Sequence, residues 1–236
     1  MTENLIEVGK KKAAIKAVEE NIKNNMIVGI GSGSTVIYAV QRLGELNKEK
    51  SLGLKCIPSS FQAYQLIIEN ELDLVSLEQY PEIDIDIDGA DEIDENLNLI
   101  KGGGGCLVQE KIIASNSKKL VIIADFRKNS KVLGTNWKKG VPVEVIPMGY
   151  FPIMEKLRII GGKPVLRMAK SKSGPLITDN GNFIIDVDFG EIKNPLELNS
   201  KILSIVGVVD TGLFIDMAFK AYIGDRDGSV IVLSKV

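Results

Sequence analysis

Residues 83–111, IDIDIDGADEIDENLNLIKGGGGCLVQEK, decide the reading of this chain. The stretch opens on strict alternation of isoleucine and aspartate, passes through DGADE, and ends at four consecutive glycines ahead of a helix-like run. Aspartate is a poor strand residue and glycine a poor helix residue, so a segment that collects both answers to something besides local propensity. Alternate side chains of a strand face opposite sides. The isoleucines therefore read as one apolar face, and Asp84 and Asp86 as a wet one. Asp88 differs, because it closes the strand just before Gly89, with Asp91 and Glu92 following within a turn. Clustered carboxylates favour protonation of one another, and such a group either binds a divalent cation or does acid–base work. The lysine and glycines that follow suit an anion and weigh against the metal.

The glycine run is the rarest element. Four glycines cost backbone entropy, so a chain carries them where nothing with a Cβ fits. The N–H groups of Gly102, Gly103 and Gly104, with Lys101, can face a developing oxyanion; a plain flexible loop is the alternative, and a helix starting at once afterwards argues against it. Glu110 falls about one and a half turns into that helix. An arbitrary helical glutamate is a solvated residue paired with a lysine. Here the neighbours are Cys106, Leu107, Val108, Ile112 and Ile113, and a carboxylate held partly dry beside a glycine-lined pocket gains the proton affinity that a proton-shuttling base needs.

Outward from this stretch, apolar runs alternate with helical periods. Residues 5–23 place apolar side chains near a helical repeat. MIVGI (26–30), LKCIP (54–58), LDLVSL (72–77), IDIDID (83–88) and KLVIIAD (119–125) read as strands, and Ser59 or Ser60 caps a helix over FQAYQLIIEN. Strands alternating with helices over 125 residues predict an α/β fold with a mostly parallel sheet covered on both faces. After about Lys131 the pattern changes to α+β: PVEVIP, a helix near 149–159, KPVLRM, a hairpin LITD-NG-NFIIDV whose Asn180-Gly181 is a preferred type I′ pair, and a helix after Pro195. The strand-rich tail turns at 225–228 and can return to the first domain. The expected division is 1–131 plus 208–236 against a smaller domain, 132–207.

GSGST (31–35) follows the first strand. Ligands of parallel sheets sit beyond the carboxyl ends of the strands, and this loop offers close backbone approach, three hydroxyls and helix N-terminal N–H groups, a phosphate cradle. It is neither a Walker loop nor a complete dinucleotide fingerprint, and the alternative is an ordinary turn. Lys128, just beyond KLVIIAD, and Lys11, on the first helix, are candidate phosphate counter-charges.

Composition narrows the function. The 236 residues carry net charge −2, 44% hydrophobic and 25% charged residues, which supports a packed core and gives no basic surface for nucleic acid. No apolar run approaches a membrane span, and the N-terminus reads as a helix without a signal-peptide pattern. Two isolated cysteines, Cys56 and Cys106, read as free thiols in a reducing, cytoplasmic compartment. There is no histidine, which removes Ser-His-Asp and Cys-His catalysis and the commonest metal ligand.

GSGST, IDGADE, KGGGG followed by Glu110, GGKPVLRMAKSKSGPLITDNGNFIIDV and GLF (212–214) together resemble the ribose-5-phosphate isomerase A family, in order and with compatible gaps from the first helix to the end. The resemblance implies a Rossmann-like domain with a smaller lid domain, a dimeric or tetrameric assembly, and a metal-independent aldose–ketose isomerase of the pentose phosphate pathway acting on ribose 5-phosphate and ribulose 5-phosphate without a cofactor. It places the general base on Glu110, the acid–base aspartates on Asp88 and Asp91, the catalytic lysine on Lys101, and the phosphate loop on Gly31, Ser32, Gly33, Ser34 and Thr35, with Lys11 and Lys128 as helpers. Two departures stand out: Ser32 where threonine is frequent, and Asp86 where a neutral residue is usual. A sugar-phosphate sensor domain would keep the phosphate loop without needing Glu110, and would carry a basic DNA-binding helix that this chain lacks. A nucleotide-dependent enzyme would need the fingerprint that is incomplete here.

Overall fold

The computed structural model describes residues 2–235. In chain order the elements are α1 (Thr2–Asn21), β1 (Ile27–Ile30), α2 (Val36–Lys50), β2 (Lys55–Pro58), α3 (Phe61–Glu69), β3 (Asp73–Leu74), β4 (Ile85–Asp88), β5 (Glu92–Ile93), β6 (Leu99–Ile100), α4 (Leu107–Ser115), β7 (Leu120–Asp125), β8 (Val141–Val145), α5 (Tyr150–Ile159), β9 (Lys163–Leu166), β10 (Phe183–Asp188), α6 (Pro195–Leu203), β11 (Val208–Thr211), β12 (Leu213–Phe214), β13 (Ala218–Gly224) and β14 (Val230–Ser234). They form two compact units, one of residues 1–90, 109–129 and 217–236, the other of 91–108 and 130–216.

The first unit holds a seven-stranded sheet in the order β14-β13-β7-β4-β1-β2-β3. All neighbouring pairs are parallel except β13 with β14. Strand β7 is buried at all six positions, which is why LVIIAD carries no polar alternation. Helix α1 packs on β7 and β13, and α1 also meets α2; Ala13, Ala17, Val18, Val40 and Leu43 seal that layer. Ser60 caps α3 by accepting from the Ala63 N–H. The chain leaves β1 toward β2 on one side and returns as β4 on the other, so the order reverses between β1 and β4. In a parallel sheet that reversal opens a crevice at the carboxyl ends of the two strands.

The second unit holds a four-stranded antiparallel sheet, β11-β8-β10-β9, and a three-stranded one, β12-β6-β5. Val143, Val145, Ile153, Leu157, Ile185 and Ile202 make its core. Residues 91–108 and 208–216, grouped by sequence with the parallel-sheet domain, belong to this unit: β11 pairs with β8, and β5, β6 and β12 pair only with one another among the described strands.

Three local readings are corrected. LDLVSL forms a strand only at Asp73–Leu74. Asp86 does not lie on a wet face: it is 0% exposed, because Ile113 of α4 covers that side of the sheet. A Cβ on Gly29 would lie 2.5 Å from Ile113 Cγ2 and 2.9 Å from Asp86 Oδ1. Asn180-Gly181 is not a type I′ pair: Gly181 has φ 79° while Asn180 keeps a negative φ. The Gly181 N–H donates to Thr178 O and the Thr178 N–H to Asn182 O, a three-residue loop with glycine at the left-handed position. Buried Glu144 selects it by accepting, on one oxygen, from Thr178 Oγ1, Asn180 Nδ2 and Asn182 Nδ2. LITD forms no strand, and β10 pairs with β8 and β9 instead.

Candidate active site

The first unit holds the point where strand order reverses, between β1 and β4. Asp88, 0% exposed, sits at the end of β4, and its Oδ1 accepts from the N–H of Ser32 at 3.0 Å and of Gly89 at 2.7 Å. The loop after β1 is thereby tied to the strand beside it. This contact also explains Gly31, where a Cβ would stand 1.9 Å from Asp88 Oδ1. The Gly33 N–H donates to Gln62 Oε1 at 2.9 Å, and Ser32 Oγ donates to Ser60 Oγ at 2.6 Å. Gly31, Ser32 and Gly33 are therefore occupied in shaping the loop. Ser34 is exposed and Thr35 is 9% exposed just before α2; they carry the other two hydroxyls of the loop.

The lysine at this loop is Lys10, not Lys11. Lys10 Nζ donates to Ser34 Oγ at 3.0 Å and to Glu7 Oε1 at 2.7 Å. The Lys10 bond and one from Tyr38 Oη hold the Glu7 carboxyl below its usual range. Lys11 is exposed and lies with Ile15, Glu19, Tyr38 and Arg42 along the α1–α2 groove. One residue along a helix turns the side chain by about 100°, and three lysines in a row give no phase from which to choose. Lys128 is half-buried just past the carboxyl end of β7. At that end, burial raises the Asp125 carboxyl, but the Arg127 side chain and N–H outweigh it and hold Asp125 below the usual range. Glu110, in the first turn of α4, is 4% exposed; it is not a solvated helix residue.

The second unit holds residues 101–105, the glycine loop. Lys101 is 2% exposed, with its Nζ 5.4 Å from the centroid of the Phe214 ring, and its N–H donates to Gly212 O. Gly102 and Gly105 both take φ 92°. Asp91 Oδ2 accepts the Gly103 N–H at 2.6 Å, and a Cβ on Gly103 would lie 2.5 Å from Asp91 Oδ1. A Cβ on Gly104 would meet nothing within 4 Å, so this residue has open space beside it. Arg167, absent from the sequence reading, donates to the carbonyls of Gly102 at 3.0 Å and Gly103 at 3.3 Å. No pattern in KPVLRM marks it, since an arginine after a strand is usually a surface residue. Each glycine-rich loop is thus held by an aspartate through a backbone N–H: 31–35 by Asp88 and 101–105 by Asp91. Among the described residues, no three His, Cys, Asp or Glu side chains gather to hold a metal ion, and no helix is long and apolar enough to cross a membrane.

The sequence model of the family described as ribose 5-phosphate isomerase A (phosphoriboisomerase A) matches residues 55–228. The ribose-5-phosphate isomerase of Sus scrofa is 55% identical over 97% of this chain and 75% of its own. That of Candida albicans is 55% identical over 98% of both. Among solved structures, a D-ribose-5-phosphate isomerase in complex with phospho-erythronic acid superposes with TM-score 0.93 at 42% identity, covering 98% of this chain and 99% of that one. Ribose 5-phosphate isomerase A from Methanocaldococcus jannaschii superposes with TM-score 0.91 at 42% identity over 100% of both.

Proposed function

This chain belongs to the ribose 5-phosphate isomerase A family, and from that premise we propose how its own residues divide the work. The enzyme interconverts D-ribose 5-phosphate and D-ribulose 5-phosphate. Such a reaction removes the proton on C2 of the open-chain aldose, holds the charge on an enediolate, and returns a proton to C1. Glu110 carries that proton. Lys101 and the N–H groups of the glycine loop stabilise the enediolate oxygens. Asp88 assists opening of the furanose ring through Oδ2, its Oδ1 being engaged by Ser32 and Gly89. Asp91 fixes the glycine loop through Gly103. Ser34, Thr35 and Lys10 bind the phosphate, with Lys128 as a second cation, and so hold the reacting carbons in place.

The observation that carries this reading is the burial of Glu110 at 4% exposure. A helical glutamate is otherwise among the residues least often buried, and a dry carboxylate is a competent carbon acid's base. The covalent spacing supports it: two residues separate Asp88 from Asp91, and four separate Gly105 from Glu110.

The proposal extends to setting. No step calls for a metal or redox cofactor. Cys56 is a buried free thiol, which fits a reducing cytoplasm. Met148, Phe151, Ile159 and Val206 of the second unit are more than half exposed; large apolar side chains of this kind fit an assembly of identical chains, a homodimer or homotetramer.

The test is isomerisation of ribose 5-phosphate in heavy water with a chelator present. Formation of ribulose 5-phosphate, with solvent deuterium entering the sugar, is expected. Loss of turnover in the chelator would remove metal independence, and turnover without any exchange over extended reaction would count against a carboxylate proton carrier.

A further inference from the structure

We infer that Arg167, braced by Asp186, is a positioning residue that aims the Gly104 N–H at the negatively charged oxygen of the reaction intermediate. The inference rests on the proposed role of the glycine loop as the oxyanion-binding element.

The side chain of Arg167 is largely buried, with 14% of its surface exposed, and that of Asp186 has 19% exposed. Nε donates to Asp186 Oδ2 at 2.8 Å and Nη2 to Asp186 Oδ1 at 2.5 Å, the two-pronged geometry that fixes a guanidinium in one plane. The backbone is fixed as well: the Arg167 N–H donates to Ile184 O at 2.8 Å, and Arg167 O accepts from the Leu176 N–H at 2.9 Å. The remaining prong, Nη1, reaches the carbonyls of Gly102 and Gly103.

A trans peptide is planar, and its C=O and N–H point in opposite directions. The Gly102–Gly103 peptide is therefore gripped at both ends, its oxygen by Arg167 and its N–H by Asp91. The next peptide is gripped at one end only. Its oxygen, Gly103 O, lies on Arg167, which turns its N–H, that of Gly104, away from the guanidinium. Gly104 is the loop residue with open space beside it. The Gly105 N–H closes this turn on Gly102 O at 3.0 Å, but the central peptide of a glycine turn can still flip between two orientations, and a donor that must turn at the moment of reaction stabilises charge less than one already oriented. A lysine cannot replace this group, since an ammonium lacks the planar fork that engages a carboxylate and two carbonyls at once.

The experiment compares Arg167→Lys, Arg167→Met and Asp186→Asn with the parent and with Glu110→Gln. It measures kcat and KM for ribose 5-phosphate, inhibition by phospho-erythronic acid, whose carboxylate carries charge as the enediolate does, and inhibition by inorganic phosphate. For both Arg167 variants kcat falls about ten- to a hundredfold, less than the full loss of an oxyanion donor, while KM stays within about twofold. Phospho-erythronic acid weakens in step with kcat/KM, and inorganic phosphate, which reads the 31–35 loop, is unaffected. Asp186→Asn shifts the same quantities in the same direction by a smaller factor, and it keeps the inference testable should the Arg167 variants fail to fold. A rise in KM at constant kcat, or equal weakening of both inhibitors, would overturn the positioning role. If the Arg167 and Asp186 variants keep the parent kcat while Glu110→Gln does not, this inference falls alone; if Glu110→Gln also keeps it, the proposed function of the site falls.

Discussion

The two glycine-rich loops of this protein are built on one principle and differ in what they display. In 31–35 a carboxylate, Asp88, holds the Ser32 N–H; in 101–105 a carboxylate, Asp91, holds the Gly103 N–H. Beyond that the loops part. The first shows hydroxyls and a lysine, Ser34, Thr35 and Lys10. The second, beyond Lys101, is backbone without side chains, with Arg167 fastened to the carbonyl side. A phosphate is charged throughout the reaction, and adaptable side chains bind it equally in every state. An enediolate exists only near the transition state, and only donors oriented beforehand favour it over the substrate. On the proposed roles, the contrast separates binding from chemistry along the chain.

The largest effect is expected where the second loop runs into α4. Glu110→Gln should lower kcat by at least about two orders of magnitude, with circular dichroism unchanged; a variant turning over near the parent rate breaks the assignment of chemistry to this end. Next come neighbouring glycines. Gly103→Ala puts a methyl into the Asp91 carboxylate and should cost about tenfold or more in kcat. Gly104→Ala, with open space around it, should leave the melting temperature unchanged. Equal destabilisation of the two in thermal melts would erase the distinction between a packed and an open glycine. In the first loop Ser34→Ala should raise KM about three- to tenfold at nearly constant kcat, the size of one hydrogen bond. The smallest effect belongs at the far end of β4. Lys118 and the Ile27 N–H hold the Asp84 carboxyl below its usual range. That stabilisation is present above the ordinary carboxylate pKa and is lost as pH falls through the lowered value. Asp84→Asn should cost about 0.5 kcal/mol in urea unfolding at neutral pH, a difference that vanishes in strong acid, with kcat and KM untouched.

The sequence made the parallel sheet plain because β1 and β7 are nearly continuous apolar runs set between helical periods, and β7 is buried throughout. The glycines of both loops were readable for the same reason that Gly31 and Gly103 are needed: no Cβ fits beside an aspartate that has turned onto the backbone. What escaped depends on direction in space. Alternation in IDIDID shows that Asp86 faces away from the isoleucines, but not that α4 covers that face. The run of lysines at 10–12 fixes no helical phase, so Lys11 stood in for Lys10. The turn at Asn180-Gly181 obeys Glu144, more than thirty residues earlier, over its own dipeptide preference. Arg167 works through carbonyls, which no side-chain pattern reports.

The order of strands has a further consequence, for synthesis. β7 ends at Asp125, but β13, the strand that covers its open side, begins only at Ala218. While the ribosome makes the intervening residues, a strand that ends up buried at all six positions stays an uncapped edge, the feature on which nascent chains aggregate. Escort during translation therefore matters most in the interval before Ala218 emerges.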